Sequence, residues 1–330
     1  MNTLLKLENL SIQAKETDRN VSLVDELSFE IKYGETLGVV GESGCGKSIT
    51  ALSIAGLLRK HIEINKGSVV FEGKELNKLD RKELRKLCGQ EIAYVFQEPM
   101  TALNPMFKIG KQLSEHLIKH MKMTKKQAMK KSIALLQEVG IKDAENVLKC
   151  YPHQFSGGMR QRVLIAMAIA CEPKLLIADE PTTALDVITQ AQILKLLKRL
   201  IKEHNMSLLL ISHDLGVIAQ LSERVIVMYA GQLVEESTLS SLLESPKHPY
   251  TDKLLAAAKE MTSNCEYLTV VEGAVPRPED NISGCKFAKR CTFAKDLCFT
   301  NSPVTKNIGS SSERIKCWKY DDAYKDLEYK

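Results

Sequence analysis

Eight residues, Gly41 to Ser48 (GESGCGKS), have the types and spacing to hold a chain of phosphates. Gly41, Gly44 and Gly46 let the backbone turn successive N–H groups inward as a cradle for an anion. Lys47 adds a point charge for β- and γ-phosphate oxygens, and the Ser48 hydroxyl can ligate Mg²⁺. Glu42, Ser43, Cys45 and Ile49 complete the stretch expected to touch a nucleotide. Cys45, beside Lys47 and a helix N-terminus, is expected to favour its thiolate.

A second set lies downstream. LLIADE, Leu175 to Glu180, reads as an apolar strand ending in two carboxylates, which puts them at the sheet edge where nucleotide crevices form. Asp179 suits Mg²⁺, and Glu180 suits polarisation of an attacking water. Gln97 closes a short strand candidate at 92–96, His213 follows another at 208–211, and Phe155 to Arg162 reads FSGGMRQR.

With Ala184, Leu185 and Asp186 after the acids, this series resembles the ATP-binding subunit of an ABC transporter over roughly residues 4–237. The resemblance implies that two such subunits sandwich two ATP molecules. Ser156, Gly157 and Gly158 would then open a helix aimed at the γ-phosphate held by the other subunit. Gln161 is counted among the nucleotide contacts on the same ground. Gln97 would sense Mg²⁺ and the membrane partner, Asp186 would lie at the dimer contact, and His213 would contact the γ-phosphate. One departure is visible: the family's adenine-stacking aromatic falls on Ala14, with no aromatic residue between Met1 and Phe29.

The elements that must position these residues follow from periodicity. Residues 4–12 and 22–31 alternate like antiparallel strands. Between 107 and 148 the spacing turns helical, with runs at 111–121 and 124–139 ended by Gly140. Helices over 156–170 and 187–204 bracket the strand that carries the acids. Strands alternating with helices predict an α/β fold, and the resemblance implies a P-loop NTPase of the ABC ATPase kind. It would carry an antiparallel β subdomain, a helical subdomain at about 98–160 and a small Cys-rich C-terminal extension. The expected domains are 1–250, binding nucleotide, and 251–330, where periodicity fades.

Composition agrees with a globular ATPase. Hydrophobic residues make up 44% and charged residues 26% of 330, against wholesale disorder. The net charge of +5 comes from lysines interleaved with glutamates, which argues solvated faces over nucleic-acid binding. The longest apolar run, Val163 to Cys171, is half a membrane span, and the start MNTLLKLENLSI has no signal core, so a cytoplasmic protein is expected.

The tail narrows the resemblance. His248, Pro249, Tyr250 and Thr251, followed by Gly284, Cys285, Phe287, Arg290 and Cys291, resemble the C-terminal extension of dipeptide and oligopeptide importer ATPases. Cys285, Cys291, Cys298 and Cys317 lack the close pairs of a zinc site but could supply four thiolates to a [4Fe–4S] cluster. Free thiols remain the other reading. The stretch holding the first three has too few apolar residues for a core of its own, which would make a staple necessary. Cys88, Cys150, Cys171 and Cys265 carry no pattern.

The expected protein is therefore an ATPase subunit of a peptide importer. It would act at the cytoplasmic membrane face with a related second ATPase, two permeases and an extracytoplasmic solute-binding protein. The nearest alternative is a nickel or metal-chelate importer ATPase, and a non-transport ABC ATPase is a more distant one. Neither the solute nor the make-up of the dimer follows from the sequence.

Overall fold

A computed structural model describes residues 2–16, 19–183, 185–262, 273–280, 282–309 and 313–325. Ala184 and Cys265, both named above, lie outside the described residues.

The strands in chain order are β1 (Thr3–Lys15), β2 (Asn20–Lys32), β3 (Thr36–Val40), β4 (Ile62–Phe71), β5 (Lys74–Glu75) and β6 (Ile92–Val95). They continue as β7 (Leu175–Asp179), β8 (Ser207–Ser212), β9 (Arg224–Tyr229), β10 (Gln232–Thr238), β11 (Lys306–Asn307) and β12 (Arg314–Ile315). The helices begin with α1 (Lys47–Ile54), α2 (Arg81–Gln90), α3 (Pro99–Ala102), α4 (Ile109–Met121), α5 (Lys125–Glu138) and α6 (Ala144–Val147). After them come α7 (Gly157–Ile169), α8 (Val187–Glu203), α9 (Leu215–Leu221), α10 (Leu239–Glu244), α11 (Pro249–Thr262) and α12 (Asp296–Thr300).

Two compact units emerge. The first comprises residues 1–4, 31–35 and 78–211, and the second 5–30, 36–77 and 212–330.

In the first unit β6, β7 and β8 are parallel, with Ile92 opposite Leu175 and Leu175 opposite Ser207. Every residue of β7 and β8 is buried, as strands covered on both faces require. Helix α8 turns Ile193, Leu194, Leu196, Leu197 and Leu200 inward. Full burial of such a side chain contributes about 1.5–3 kcal/mol each. The helical insert appears as α4 and α5, which pack on each other and, with α7, hold the segment Ser156–Gly158. Helix α2 is an addition to the periodic reading. It buries no residue fully, yet Leu84, Leu87 and Cys88 sit half-buried at helical spacing, and its start is marked by a capping box from Asp80 and Glu83.

In the second unit β1 and β4 pair antiparallel within a four-stranded sheet of order β2-β1-β4-β5. Separately, β3 runs parallel to β9, which pairs antiparallel with β10. The tail then adds β12 and β11 to the β10 edge, Glu235 opposite Ile315.

The tail also has apolar packing that the sequence reading denied it. Phe287 is 1% exposed and meets the rings of Tyr229 and Tyr250 edge-on. Ala288, Cys298 and Tyr324 form a further cluster with Cys285, Ala294 and Trp318 against it. The tail's core is borrowed: much of it is aromatic surface supplied by β9 and α11, which counting apolar residues within the tail does not see.

Candidate nucleotide site

The phosphate loop lies in the second unit between β3 and α1. Gly41 is dictated by close approach, since a Cβ there would sit 2.2 Å from the Met228 carbonyl oxygen. Gly46 caps α1 with φ of 99°, a conformation L side chains rarely adopt. The start of α1 has no side-chain cap and no acid in its first turn, which suits the approach of an anion. Lys47 is buried, and its Nζ donates to the carbonyl oxygens of Gly41 (2.7 Å) and Glu42 (3.0 Å). These are replaceable partners for a cation whose expected ligand is phosphate. Ser43 and Gly44 are exposed, and Ser48 and Ile49 are half-buried.

One expectation about this loop changes. Cys45 is fully buried, and burial pushes its thiol above the ordinary range; Lys47, 3.7 Å from its sulfur, opposes that only in part. The thiolate is therefore not favoured, because desolvation outweighs the neighbouring charge. Glu42, in turn, has other partners: its N–H donates to Tyr250 Oη (2.9 Å) and its carboxylate pairs with Arg290.

His213 follows β8 and is exposed. Asp214 beside it caps α9 by accepting from the Gly216 N–H. Ala14, half-exposed near the end of β1, stands opposite Ile62.

The carboxylates belong to the first unit. Asp179 closes β7, 5% exposed, and accepts a hydrogen bond from Tyr94 Oη at 2.8 Å. Burial first, and then the Asp179 charge, raise the Tyr94 phenol well above its usual range, so it stays a donor. Glu180 follows with φ of 46°, left-handed for a residue with a side chain. Its N–H donates to the Ile211 carbonyl, and its Oε2 accepts from Gln97 Nε2 and Thr183 Oγ1, both at 2.9 Å. Gln97 and Glu180, 83 positions apart, thus come together. Tyr94 was missed; its signal was an aromatic residue in a short, otherwise aliphatic strand.

Ser156 caps α7, its Oγ accepting from the Met159 N–H. Gly158 allows close approach, as a Cβ there would meet Thr189 Cγ2 at 2.6 Å. A Cβ on Gly157 would lie 3.3 Å from Leu185. Asp186 caps α8 through Thr189, whose hydrogen bonds hold its carboxyl below the usual range. Gln161 is 1% exposed and its Nε2 has no hydrogen-bond partner, so it lies inside the unit, away from solvent.

Cys285, Cys291, Cys298 and Cys317 are free and line one pocket with His248, Phe287, Phe293 and Trp318. Burial, then the neighbouring cysteines, push the Cys285 thiol up to about 11 and the Cys317 thiol up to about 12. Among the described residues no three His, Cys, Asp or Glu side chains are grouped as around a metal ion. The iron–sulfur expectation therefore gains no support from ligand geometry. No helix among them is long and apolar enough to cross a membrane.

Comparison with known proteins agrees with this arrangement. Residues 24–183 match the ABC transporter family, and residues 234–298 the oligopeptide/dipeptide transporter C-terminal region. The oligopeptide transport ATP-binding protein AppD of Bacillus subtilis is 47% identical over 98% of each chain. The dipeptide transport ATP-binding protein DppD of Haemophilus influenzae is 46% identical over 95% of this chain and 94% of its own. A solved dimeric ATP-binding cassette in a post-hydrolysis state with ADP and Pi has a TM-score of 0.65 and 30% identity. It covers 72% of this chain and 99% of its own. Phosphate loop, strand-end carboxylates and tail thus converge on one conclusion: this chain is an ATP-hydrolysing member of the ABC transporter ATP-binding proteins, of the group with the oligopeptide/dipeptide C-terminal region.

Proposed function

We propose that this chain powers import of dipeptides or oligopeptides by binding MgATP, pairing with a second ATPase subunit and hydrolysing the nucleotide to drive separate permeases. The observation that carries peptides over nickel or metal chelates is that both ends of the chain match together: cassette and tail align with peptide-transport ATPases over 98% of its length. A second ATPase, two permeases and an extracytoplasmic binding protein complete the assembly, with this chain peripheral on the cytoplasmic face. In function, 1–250 serves the nucleotide and 251–330 the tail-specific role.

The chemistry is phosphoryl transfer to water. Residues 41–49 hold the phosphates, Lys47 leaving its two carbonyl partners for β- and γ-oxygens. Ser48, Gln97 and Asp179 are the residues for Mg²⁺, which when bound neutralises charge developing between β- and γ-phosphates. Glu180 polarises the water. Its carboxylate is oriented by Gln97 and Thr183. His213 contacts the γ-phosphate, while Ser156, Gly157, Gly158 and Asp186 serve the ATP of the partner subunit. Gln161 supports that helix from within.

The pocket cysteines carry a finer reading, a [4Fe–4S] cluster held by Cys285, Cys291, Cys298 and Cys317. Its support is the donor set itself: four thiols line one largely apolar pocket. Each would bind a different iron, so they need not be grouped around a single ion. Protein purified without oxygen should then be brown with about four irons per chain. A colourless, metal-free preparation would leave the four as thiols.

Reconstitution tests the transport reading. The chain with its permeases, second ATPase and binding protein in vesicles should accumulate labelled di- or oligopeptide when ATP is inside the assay's cytoplasmic compartment. Uptake of nickel in place of peptide would overturn it.

A further inference from the structure

Within the second unit, the phosphate loop is gripped by the tail. Glu42 is the only acidic residue of Gly41–Ser48. Its carboxylate takes both terminal nitrogens of Arg290, Nη1 at 2.7 Å and Nη2 at 3.0 Å, a two-pronged pair that fixes direction as well as distance. The Arg290 side chain is 5% exposed. Its guanidinium lies 5.7 Å from the Tyr229 ring centre and 6.0 Å from that of Phe287, and Nη1 also donates to Tyr229 Oη. Lys253 Nζ donates to the Arg290 carbonyl at 2.8 Å, tying the same turn to α11.

A second contact comes from the start of α11. The buried Glu235 carboxylate accepts from the N–H groups of Lys247 and His248, fixing where the helix begins. Tyr250 is thereby placed with its hydroxyl on the Glu42 N–H. The loop residue after Gly41 is thus held by backbone and by side chain, both from elements beyond 248.

The electrostatic consequence follows from the loop's purpose. A loop built to receive a triphosphate carries a carboxylate of its own, and like charges partly screened from water repel. Arg290 cancels that charge. We propose that Arg290 is a positioning residue for nucleotide binding: it neutralises Glu42 and sets the phosphate loop, so that the C-terminal extension governs ATP affinity. This rests on the reading of Gly41–Ser48 as the ATP site.

The test uses the full-length chain and MgATP binding by calorimetry, with thermal melts to verify folding. Arg290→Met should weaken MgATP binding about tenfold, by leaving the Glu42 charge bare. Adding Glu42→Gln to that variant should bring affinity back to within about threefold of the parent, since the repelling charge is then gone. Glu42→Gln alone, should the arginine variant not fold, is expected to tighten binding severalfold, and a tenfold loss there would overturn the proposal. Normal binding by a folded Arg290→Met, or a double variant as weak as Arg290→Met, would also overturn it. A parent chain that binds no MgATP would instead sink the assignment of the ATP site, which keeps the two failures apart.

Discussion

Two glutamates, in separate units, are held in opposite ways. Glu180 accepts from an amide and a hydroxyl, donors that orient the carboxylate. Glu42 accepts from a buried guanidinium, which cancels its charge. The difference tracks what each site asks of an anion. In the proposed roles, a group that polarises water needs its charge, whereas a carboxylate at the mouth of a phosphate cradle must lose it. Partner type, more than residue type, separates the two roles.

The largest effect should come from breaking the first of these. Glu180→Gln keeps the shape and the Gln97 contact but removes the charge, and turnover of the assembled transporter should fall by roughly 10²–10⁴-fold while ATP still binds. Phosphate release measured at saturating ATP checks this.

Next comes the anchor behind Glu42. His248 Nδ1 accepts from the Tyr250 N–H, and burial pushes the ring's pKa down to about 3. Because the folded pKa lies below the unfolded value, the unfolded chain takes up the proton first. This stability is complete above about pH 6.5 and is lost as pH falls toward 3. Between pH 7 and pH 5 the histidine's share is about 2 kcal/mol. Glu235, whose carboxyl burial raises, pulls the other way as pH rises. The informative comparison is therefore the melting midpoint of the parent against His248→Gln over that range: the parent should lose several degrees more on acidification.

Smaller still is the support of Asp179. Tyr94→Phe deletes one hydrogen bond to a buried carboxylate, worth about 1.5–3 kcal/mol where it is fully used. Turnover should drop severalfold with little change in ATP affinity. An affinity change without a turnover change would place Tyr94 outside the catalytic region. The least effect is expected at Cys45: its buried, raised thiol should be alkylated at pH 7 more slowly than the half-exposed Cys150, as mass spectrometry of labelled peptides would show.

How much of this was legible before the fold depends on where the constraint lies. Gly41, Gly46, Lys47, Asp179 and Glu180 are dictated by local backbone and ligand chemistry, so type and spacing betray them. The strands and long helices were legible for a similar reason, as burial on one face imposes a period, and α8 shows it plainly. Helix α2 escaped because its apolar face is short, Leu84, Leu87 and Cys88 only, and half-buried among charged residues. The pair of Glu42 and Arg290 escaped because 248 positions separate them and neither carries a local signal of the other. Arg290 was noticed only as the neighbour of Cys291. The tail's core escaped for the same reason, since Phe287 packs on Tyr229 and Tyr250, outside the stretch being judged.

One paired measurement tests the contrast most directly: MgATP affinity and saturated hydrolysis for Glu180→Gln and Arg290→Met, side by side in the assembled transporter. The two changes should separate, Glu180→Gln lowering kcat with affinity nearly unchanged and Arg290→Met raising KM about tenfold with kcat within about threefold of the parent. If both variants moved the same parameter, the division of labour between the two glutamates would be contradicted.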